Sequence, residues 1–221
     1  TFKVVTAAAA LDKGVVKMTD TFSCPGYKVV EDRRIRCHKT TGHGAETFEQ
    51  GIMNSCNPVF VELALRMGTD TFYRYLTAFG LGKTTGIDLP GESAGLLIGS
   101  RYVKNVDLAR IGFGQSVAVT PLQLMMAANA CINGGKVMKP YLVAEIQSAD
   151  GEVLQRTNPT VRSTPISTET SDTMRELLEL VVTQGGGKNA AVPGYRIGGK
   201  TGTAQVYKDG KIARDVHIGS L

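Results

Sequence analysis

The chain has 221 residues, which suits one large domain or two small ones, and 42% of them are hydrophobic. That content excludes a disordered tail, and four cysteines are too few for a disulfide-built scaffold. The net charge of +5 is too small to argue for nucleic acid as a partner. Glycine is enriched at 26 residues, which predicts tight turns or places where the backbone meets a ligand closely.

The first third of the chain predicts helices on either side of an irregular segment. The alanine-rich run Phe2–Leu11 predicts a buried helix that ends at Gly14. Residues 19–45 show little periodicity apart from a strand-like stretch near Arg33–Cys37. Three more helices are predicted at residues 46–54, from Pro58 to about Met67, and from Thr69 or Asp70 to Ala78, with Gly68 as the stop between the last two.

The remainder of the chain predicts alternating turns, helices and strands. Residues 80–100 are rich in turn-forming glycine and proline. The elements predicted after them are a helix at Pro121–Ile132, strands at Leu142–Gln147 and Val153–Gln155, an amphipathic helix at Thr168–Val182, and strands at Tyr195–Val206 and Lys211–Ile218. Asp150-Gly151 and Asp209-Gly210 are predicted to form the turns of the two strand pairs.

A Lys-Thr-Gly run within Gly198–Ala204, on a predicted strand, has the composition of a site for a carboxylate-bearing peptide. Lys200 supplies positive charge, and Thr201 and Thr203 supply hydroxyl groups for a substrate carboxylate. Gly202 has no side chain, so a substrate backbone can lie against the strand edge at this point. Alone, such a tripeptide is common on surface hairpins.

A second polar group, Ser55-Cys56-Asn57, interrupts two predicted helices. Ser55 is able to relay a proton, and Asn57 is able to hydrogen-bond a substrate amide. Without further context this tripeptide would be interpreted as a helix cap. A third segment, Thr1-Phe2-Lys3, opens the alanine-rich helix.

Together, the Ser-x-Asn and Lys-Thr-Gly pair resembles the active-site signature of serine penicillin-binding proteins and β-lactamases. Thr1-Phe2-Lys3 resembles the last three residues of their Ser-x-x-Lys motif, so the nucleophilic serine is expected immediately before Thr1. A serine and a lysine three residues apart on a helix share one face, which allows the amine to contact the hydroxyl. A second cation nearby, Lys200, favours the neutral form of that lysine.

The resemblance extends over essentially the whole chain. Asn54–Gly68, Phe79–Glu92 and Gly112–Gln123 are similar to the transpeptidase domain of class B penicillin-binding proteins, and most similar to septal and sporulation-specific members. It implies an α+β fold, in which a mostly antiparallel sheet is flanked by helices and joined by a helical subdomain. Residues 1–221 are then expected to be most of one such domain, cut at both ends.

The resemblance also implies a reaction, D,D-transpeptidation through a serine acyl-enzyme, with no cofactor required for catalysis. Lys3, Ser55, Asn57 and Lys200 match the catalytic positions of the family, and Thr203 matches the position whose backbone N–H completes the oxyanion hole. Thr201, Gly202 and Thr203 match the substrate-binding positions.

The partners implied are peptidoglycan stem peptides, β-lactam antibiotics and the cell-wall machinery of division or sporulation. The expected location is the outer face of the cytoplasmic membrane, with an anchor in an N-terminal segment outside this chain. Two alternatives are a β-lactam hydrolase of the same fold and a non-catalytic scaffold or sensor. The hydrolase requires a positioned water and base, and no clear glutamate motif follows Ser-x-Asn.

Three cysteines and one histidine, Cys24, Cys37, His43 and Cys56, have the chemistry of a tetrahedral zinc site. If Ser55 and Asn57 face the active site, the Cys56 side chain between them points elsewhere and is able to meet the 24–43 loop. The spacing matches no short zinc motif. Structural zinc, a Cys24–Cys37 disulfide and free buried thiols therefore remain open, with His38 as a substitute for His43.

Overall fold

The computed structural model describes residues 1–208 and 211–221, with side chains outside 205–215. The helices are α1 (Lys3–Asp12), α2 (Phe48–Met53), α3 (Asn57–Ala78), α4 (Asn105–Gly112), α5 (Pro121–Ala130) and α6 (Thr168–Thr183). The strands are β1 (Thr21–Cys24), β2 (Tyr27–Val30), β3 (Arg33–Arg36), β4 (Gly44–Thr47), β5 (Leu96–Leu97), β6 (Val117–Ala118), β7 (Val137–Met138), β8 (Glu145–Gln147), β9 (Val153–Arg156), β10 (Val161–Ser163), β11 (Gly202–Lys208) and β12 (Lys211–Ser220). The predicted turn at Asp209-Gly210 lies outside the described residues.

Helix α1 runs through the hydrophobic core and is buried over most of its length. The four alanines Ala7–Ala10 are fully buried, and their small side chains allow α3, α5 and α6 to pack closely around the helix. The predicted helix Phe2–Leu11 is therefore confirmed. The polar Thr6 is satisfied within this core, because its hydroxyl donates to the carbonyl of Gly112 at 2.7 Å.

Helices α2 and α3 meet at the Ser55-Cys56-Asn57 segment. The predicted helix start at residue 46 was wrong by two residues, because Thr47 caps α2 through a reciprocal bond with Gln50. Glu46 instead belongs to strand β4. The predicted interruption at Gly68 is confirmed, since this residue adopts φ +71° inside α3 and kinks the helix.

The described strands form six two-stranded antiparallel sheets. Strands β1, β2 and β4 lie in the 19–45 region, where only the strand near Arg33–Cys37 was predicted. They are four residues long, and the inward-facing residues of such short strands are too few to show an alternating pattern.

Two further differences concern the second half of the chain. Helix α4 was not predicted, because Lys104 stands at its N-cap in place of a conventional capping residue. Strand β11 begins at Gly202 rather than at Tyr195, since pairing with β12 starts at the Gly202–Ser220 pair. Lys200 and Thr201 thus immediately precede the strand. Within the described residues, no helix combines the length and apolar character that crossing a bilayer requires.

Candidate active site

The Lys3 side chain connects helix α1 to the junction of α2 and α3. Its ammonium Nζ donates to the Ser55 carbonyl at 2.6 Å, to Ser55 Oγ at 3.0 Å and to Asn57 Oδ1 at 2.7 Å. Lys3 is only 8% exposed, so these three acceptors take the place of water around the amine. Lys3 and both polar residues of Ser-x-Asn are therefore one hydrogen-bonded group.

Ser55 occupies a backbone conformation that few residues adopt. Its φ is +52°, in the left-handed region, at the point where α2 ends and α3 begins. Gly51 allows the two helices to pack closely, because a Cβ at this position would lie only 2.9 Å from a methyl carbon of Val59. Close packing of α2 on α3 thus holds Ser55 Oγ beside Lys3.

Asn57 is the first residue of α3, and its amide is held from both sides. The oxygen accepts from Lys3, and the Nδ2 group donates to the backbone carbonyl of Arg36 at 3.0 Å. The second bond fixes the amide orientation, because only the nitrogen end of the amide is able to donate. Strand β3 therefore forms one wall of the site, which the sequence motifs did not indicate.

Lys200 lies on the other side of the site and is only 3% exposed. Its Nζ donates to the carbonyl of Thr201 at 3.0 Å. Lys200 and Lys3 both line a narrow apolar space whose other walls are Val4, Ala7, Ile52, Phe60, Met174 and Leu178. The two amines are therefore gathered in surroundings that solvate positive charge poorly.

These surroundings change the acid–base behaviour of both lysines. Burial, and after it repulsion from Lys200, lower the pKa of Lys3 to about 7. Burial lowers the pKa of Lys200 to about 8. Lys3 is thus able to exchange a proton near neutral pH, which is what a general base requires.

Gly202 lies against the start of the chain. A Cβ on Gly202 would come within 2.4 Å of the backbone nitrogen of Thr1 and 2.5 Å of Ser220 Oγ. The Thr1 hydroxyl is 2.7 Å from Ser220 Oγ and 3.4 Å from the Lys200 carbonyl. The beginning of α1 and the Lys-Thr-Gly segment are thus in direct contact. Thr203 lies one residue further along β11, opposite Gly219.

Phe60, Ser220 and the Arg36 carbonyl belong to this site, although sequence reasoning did not identify them. The Lys3 ammonium lies 5.3 Å from the centre of the buried Phe60 ring. Phe60 follows Asn57 by three residues, which places both side chains on one face of α3. This helical spacing is the feature of the sequence from which Phe60 could have been identified. Ser220 and Arg36 are brought in by strand pairing and loop geometry, for which the sequence carries no comparable signal.

The four predicted metal-ligand residues form one cluster directly behind Ser55 and Asn57. The ligand atoms of Cys24, Cys37, His43 and Cys56 all lie within 4.8 Å of one another. All cysteines are unbonded and buried, so the predicted alternative of a Cys24–Cys37 disulfide is not formed in this structure. His43 rather than His38 completes the cluster. Cys131 is the C-cap residue that directly follows α5, and its thiol donates to the carbonyl of Ala127.

Two polar groups in and beside this cluster have unusual surroundings. The pKa of the Cys37 thiol is lowered, because its sulfur accepts hydrogen bonds from the Cys56 thiol and from the backbone N–H groups of Lys39 and Asn57. The Glu46 carboxylate is 3% exposed, and its Oε1 has no hydrogen-bond partner among the described residues although it lies 4.0 Å from His43 Nδ1. A buried carboxylate oxygen of this kind requires a donor or a cation close by.

Comparisons with known proteins agree with this geometry. Residues 1–219 match the family described as penicillin binding protein transpeptidase domain. The chain is 45% identical over its whole length to stage V sporulation protein D of Bacillus subtilis, and it covers 34% of that protein. It is 33% identical to the peptidoglycan D,D-transpeptidase MrdA of Acinetobacter baumannii, over 93% of this chain and 32% of that protein.

Among solved structures, the chain is similar to penicillin binding protein 3 of Mycobacterium tuberculosis in complex with ampicillin. The identity is 30% and the TM-score 0.91, over 99% of this chain and 50% of that one. This likeness confirms the predicted fold class. The chain spans about a third of the length of the two curated relatives.

Proposed function

This chain belongs to the penicillin-binding protein transpeptidase domain family, and from that premise we propose that it forms the transpeptidase domain of a class B peptidoglycan D,D-transpeptidase. The reaction cross-links stem peptides through a serine acyl-enzyme, and β-lactams acylate the same serine. The observation that carries this proposal is the buried Lys3 amine, which is bonded to Ser55 and Asn57 and has a pKa of about 7.

The nucleophile of this reaction is a serine that directly precedes Thr1 in the full-length protein. The support is the position of Thr1, whose backbone nitrogen lies against Gly202 and whose hydroxyl lies 3.4 Å from the Lys200 carbonyl. A serine attached there is three residues before Lys3, on the same helix face. It lies at the N-terminus of α1, where the helix dipole favours developing negative charge.

The acyl-transfer steps follow from the arrangement of these groups. The serine oxygen attacks the carbonyl carbon of the D-Ala-D-Ala amide while neutral Lys3 takes its proton, and Ser55 passes a proton to the departing D-alanine amine. The tetrahedral oxyanion is bound by the backbone N–H groups of the serine and Thr203. The amine of a neighbouring stem peptide then takes the acyl group, which releases the serine.

The remaining site residues bind the substrate. Lys200 contributes positive charge, and the hydroxyls of Thr201 and Thr203 accommodate the terminal carboxylate of the donor peptide. The donor backbone lies along β11, where Gly202 leaves the strand edge free of a side chain. Asn57 hydrogen-bonds the amide of the donor peptide.

The proposal is tested by labelling the full-length protein with a fluorescent penicillin and following the lifetime of the adduct. We expect one covalent label per chain that persists for many minutes, because no deacylating base is identified beside Ser55 and Asn57. Absence of labelling would support the scaffold alternative, and release within seconds would support the β-lactam hydrolase alternative.

The rate of acylation is expected to depend on pH through Lys3. Only the neutral amine accepts the serine proton, and the pKa of Lys3 is about 7. Below that pH the acylation rate should therefore fall about tenfold per pH unit, because the neutral fraction falls in the same proportion. Stopped-flow labelling between pH 5 and pH 9 measures this dependence, and a rate that is constant across the range would contradict the role of Lys3.

Substituting Gly202 is expected to slow acylation. In a Gly202→Ala variant the new methyl carbon would lie 2.4 Å from the Thr1 backbone nitrogen, so α1 and β11 must move apart. A displacement of about 1 Å at a catalytic site lowers rates by as much as about 10²-fold. The matched control is Gly219→Ala on β12, where a Cβ meets no atom within 4 Å. Equal labelling rates for the two variants would contradict this contact.

The cellular setting is proposed from the relatives. The similarity to a protein named for stage V sporulation favours the cell-wall machinery of sporulation over that of division. Peptidoglycan lies outside the cytoplasmic membrane, so the domain acts at its outer face, held by an N-terminal segment outside this chain.

We also propose that the cluster of Cys24, Cys37, His43 and Cys56 holds a structural zinc ion. Three thiolates and one imidazole form a complete tetrahedral zinc set, and their spacing within 4.8 Å requires only small shifts to meet the Zn–S distance of about 2.3 Å. The unpartnered Glu46 oxygen beside His43 supports the fit, because a buried carboxylate oxygen is stabilised by a cation close by. The ion supplies structure only, since none of the acyl-transfer steps involves it.

A further inference from the structure

The hairpin of β2 and β3 has two faces of different character. Its inner face packs on α3 and α4, through the buried Val30 and Ile35. Side chains alternate along a strand, so Arg34 and Arg36 share the opposite face. Tyr27 pairs with Arg36 across the hairpin and is therefore on this outer face too.

The outer face presents an ordered pair of guanidinium groups. The Arg34 guanidinium lies 3.5 Å from the centre of the Tyr27 ring, which restrains its long side chain. Among the residues whose side chains the structure describes, 1–204 and 216–221, neither Arg34 nor Arg36 forms an ion pair. By contrast, Lys28 on the inner face pairs with Glu62, and Arg33 beside the turn pairs with Asp32. Positive charge on the outer face is thus free to bind an anion.

This face adjoins the active site through Arg36. The carbonyl of Arg36 accepts from Asn57 Nδ2 at 3.0 Å, so the backbone of β3 forms the wall next to the residue that contacts the donor peptide. Arg36 is thus the residue of β3 that is bonded to Asn57, and Arg34 follows two residues away on the same face of the strand. Guanidinium groups bind carboxylates through paired N–H donors, which neutral carboxamides match poorly.

We propose that Arg34 and Arg36 determine specificity by binding a free carboxylate of the donor stem peptide, upstream of its terminal D-Ala-D-Ala. This inference rests on the proposed transpeptidase function and adds a substrate class to it. The enzyme prefers donors whose second and third residues carry carboxylates over donors in which those groups are carboxamides. The preference weakens as salt concentration rises, because salt screens exposed charges.

The test compares two synthetic pentapeptides ending in D-Ala-D-Ala that differ only in carboxylate or carboxamide at residues two and three. Release of D-alanine by the full-length protein gives kcat/KM for each. We expect the carboxylate peptide to be preferred about tenfold. An Arg34→Gln, Arg36→Gln double variant should lose this preference through a lower kcat/KM for the carboxylate peptide only. Arg33→Gln, on the same strand but paired with Asp32, is the matched control and should retain the preference.

Penicillin labelling of each variant reports whether its active site is intact, and the salt dependence of the wild-type preference provides a measurement that needs no variant. A wild-type protein without preference, a preference that survives high salt, or a double variant that keeps it would overturn the proposal. A wild-type protein that neither releases D-alanine from either peptide nor reacts with penicillin would overturn the proposed function itself, and this inference with it.

Discussion

Replacing Lys3 with methionine in the full-length protein is expected to lower the rate of penicillin acylation by about 10³-fold, the range typical for loss of a general base. Lys3 Nζ is the group that contacts both Ser55 and Asn57, and burial lowers its pKa to about 7. Methionine has a similar length and fits an apolar site, so the packing of α1 should survive. Single-turnover labelling with a fluorescent penicillin measures the loss.

The matched control is Lys13→Met, at the C-terminal end of the same helix, where the side chain is exposed. It should acylate at the wild-type rate and share the thermal stability of the wild-type protein. A Lys3→Met variant that acylates within tenfold of the wild type would contradict the proposed base. Loss of α1 packing would appear separately, as a lower melting temperature.

Replacing Cys24 with alanine is expected to abolish zinc binding and to lower the melting temperature by about 10 °C, as loss of a structural metal removes one of the larger single contributions to stability. Cys24 is preferred over Cys56 for this test, because it lies on β1, whereas Cys56 stands in the chain between Ser55 and Asn57. Elemental analysis should give one zinc ion per wild-type chain, and calorimetry measures the stability.

Cys131→Ala provides the matched control, since this cysteine is equally buried but caps the C-terminal end of α5 and lies outside the cluster. It should retain zinc. A wild-type protein that is metal-free and no more stable than the Cys24→Ala variant would contradict the zinc proposal. Titration of thiols in the unfolded, unreduced protein then distinguishes a Cys24–Cys37 disulfide from free thiols.

The sequence is most informative where short-range signals are strong. Helix α6 was predicted to within one residue at its C-terminal end, because its apolar residues recur at helical spacing and Ser167 caps it. The kink at Gly68 was predicted because glycine tolerates positive φ. Strands β1 and β4 were missed because they pair with each other across the whole β2–β3 hairpin, and β2 was missed because four residues are too few to show an alternating pattern.

The same distinction holds within the candidate site. Lys3, Ser55, Asn57 and Lys200 could be selected from motifs, because the chemistry requires those residue types in that order. The grouping of Cys24, Cys37, His43 and Cys56 could be suggested from residue type, but the choice of His43 over His38 required the fold. The Arg36 carbonyl could not be predicted at all, since every residue carries one and only tertiary packing aims it at Asn57.

The burial of Lys3 also links the catalytic group to the energetics of folding. An unfolded chain holds this lysine at its ordinary pKa of 10.5, whereas the folded protein lowers it to about 7. Between these two pH values the unfolded chain binds one more proton at Lys3, so the contribution of this residue to stability rises with pH. At neutral pH the lowered pKa of Lys3 therefore reduces the free energy of unfolding of the domain. The same lowered pKa is what allows the amine to accept a proton during catalysis.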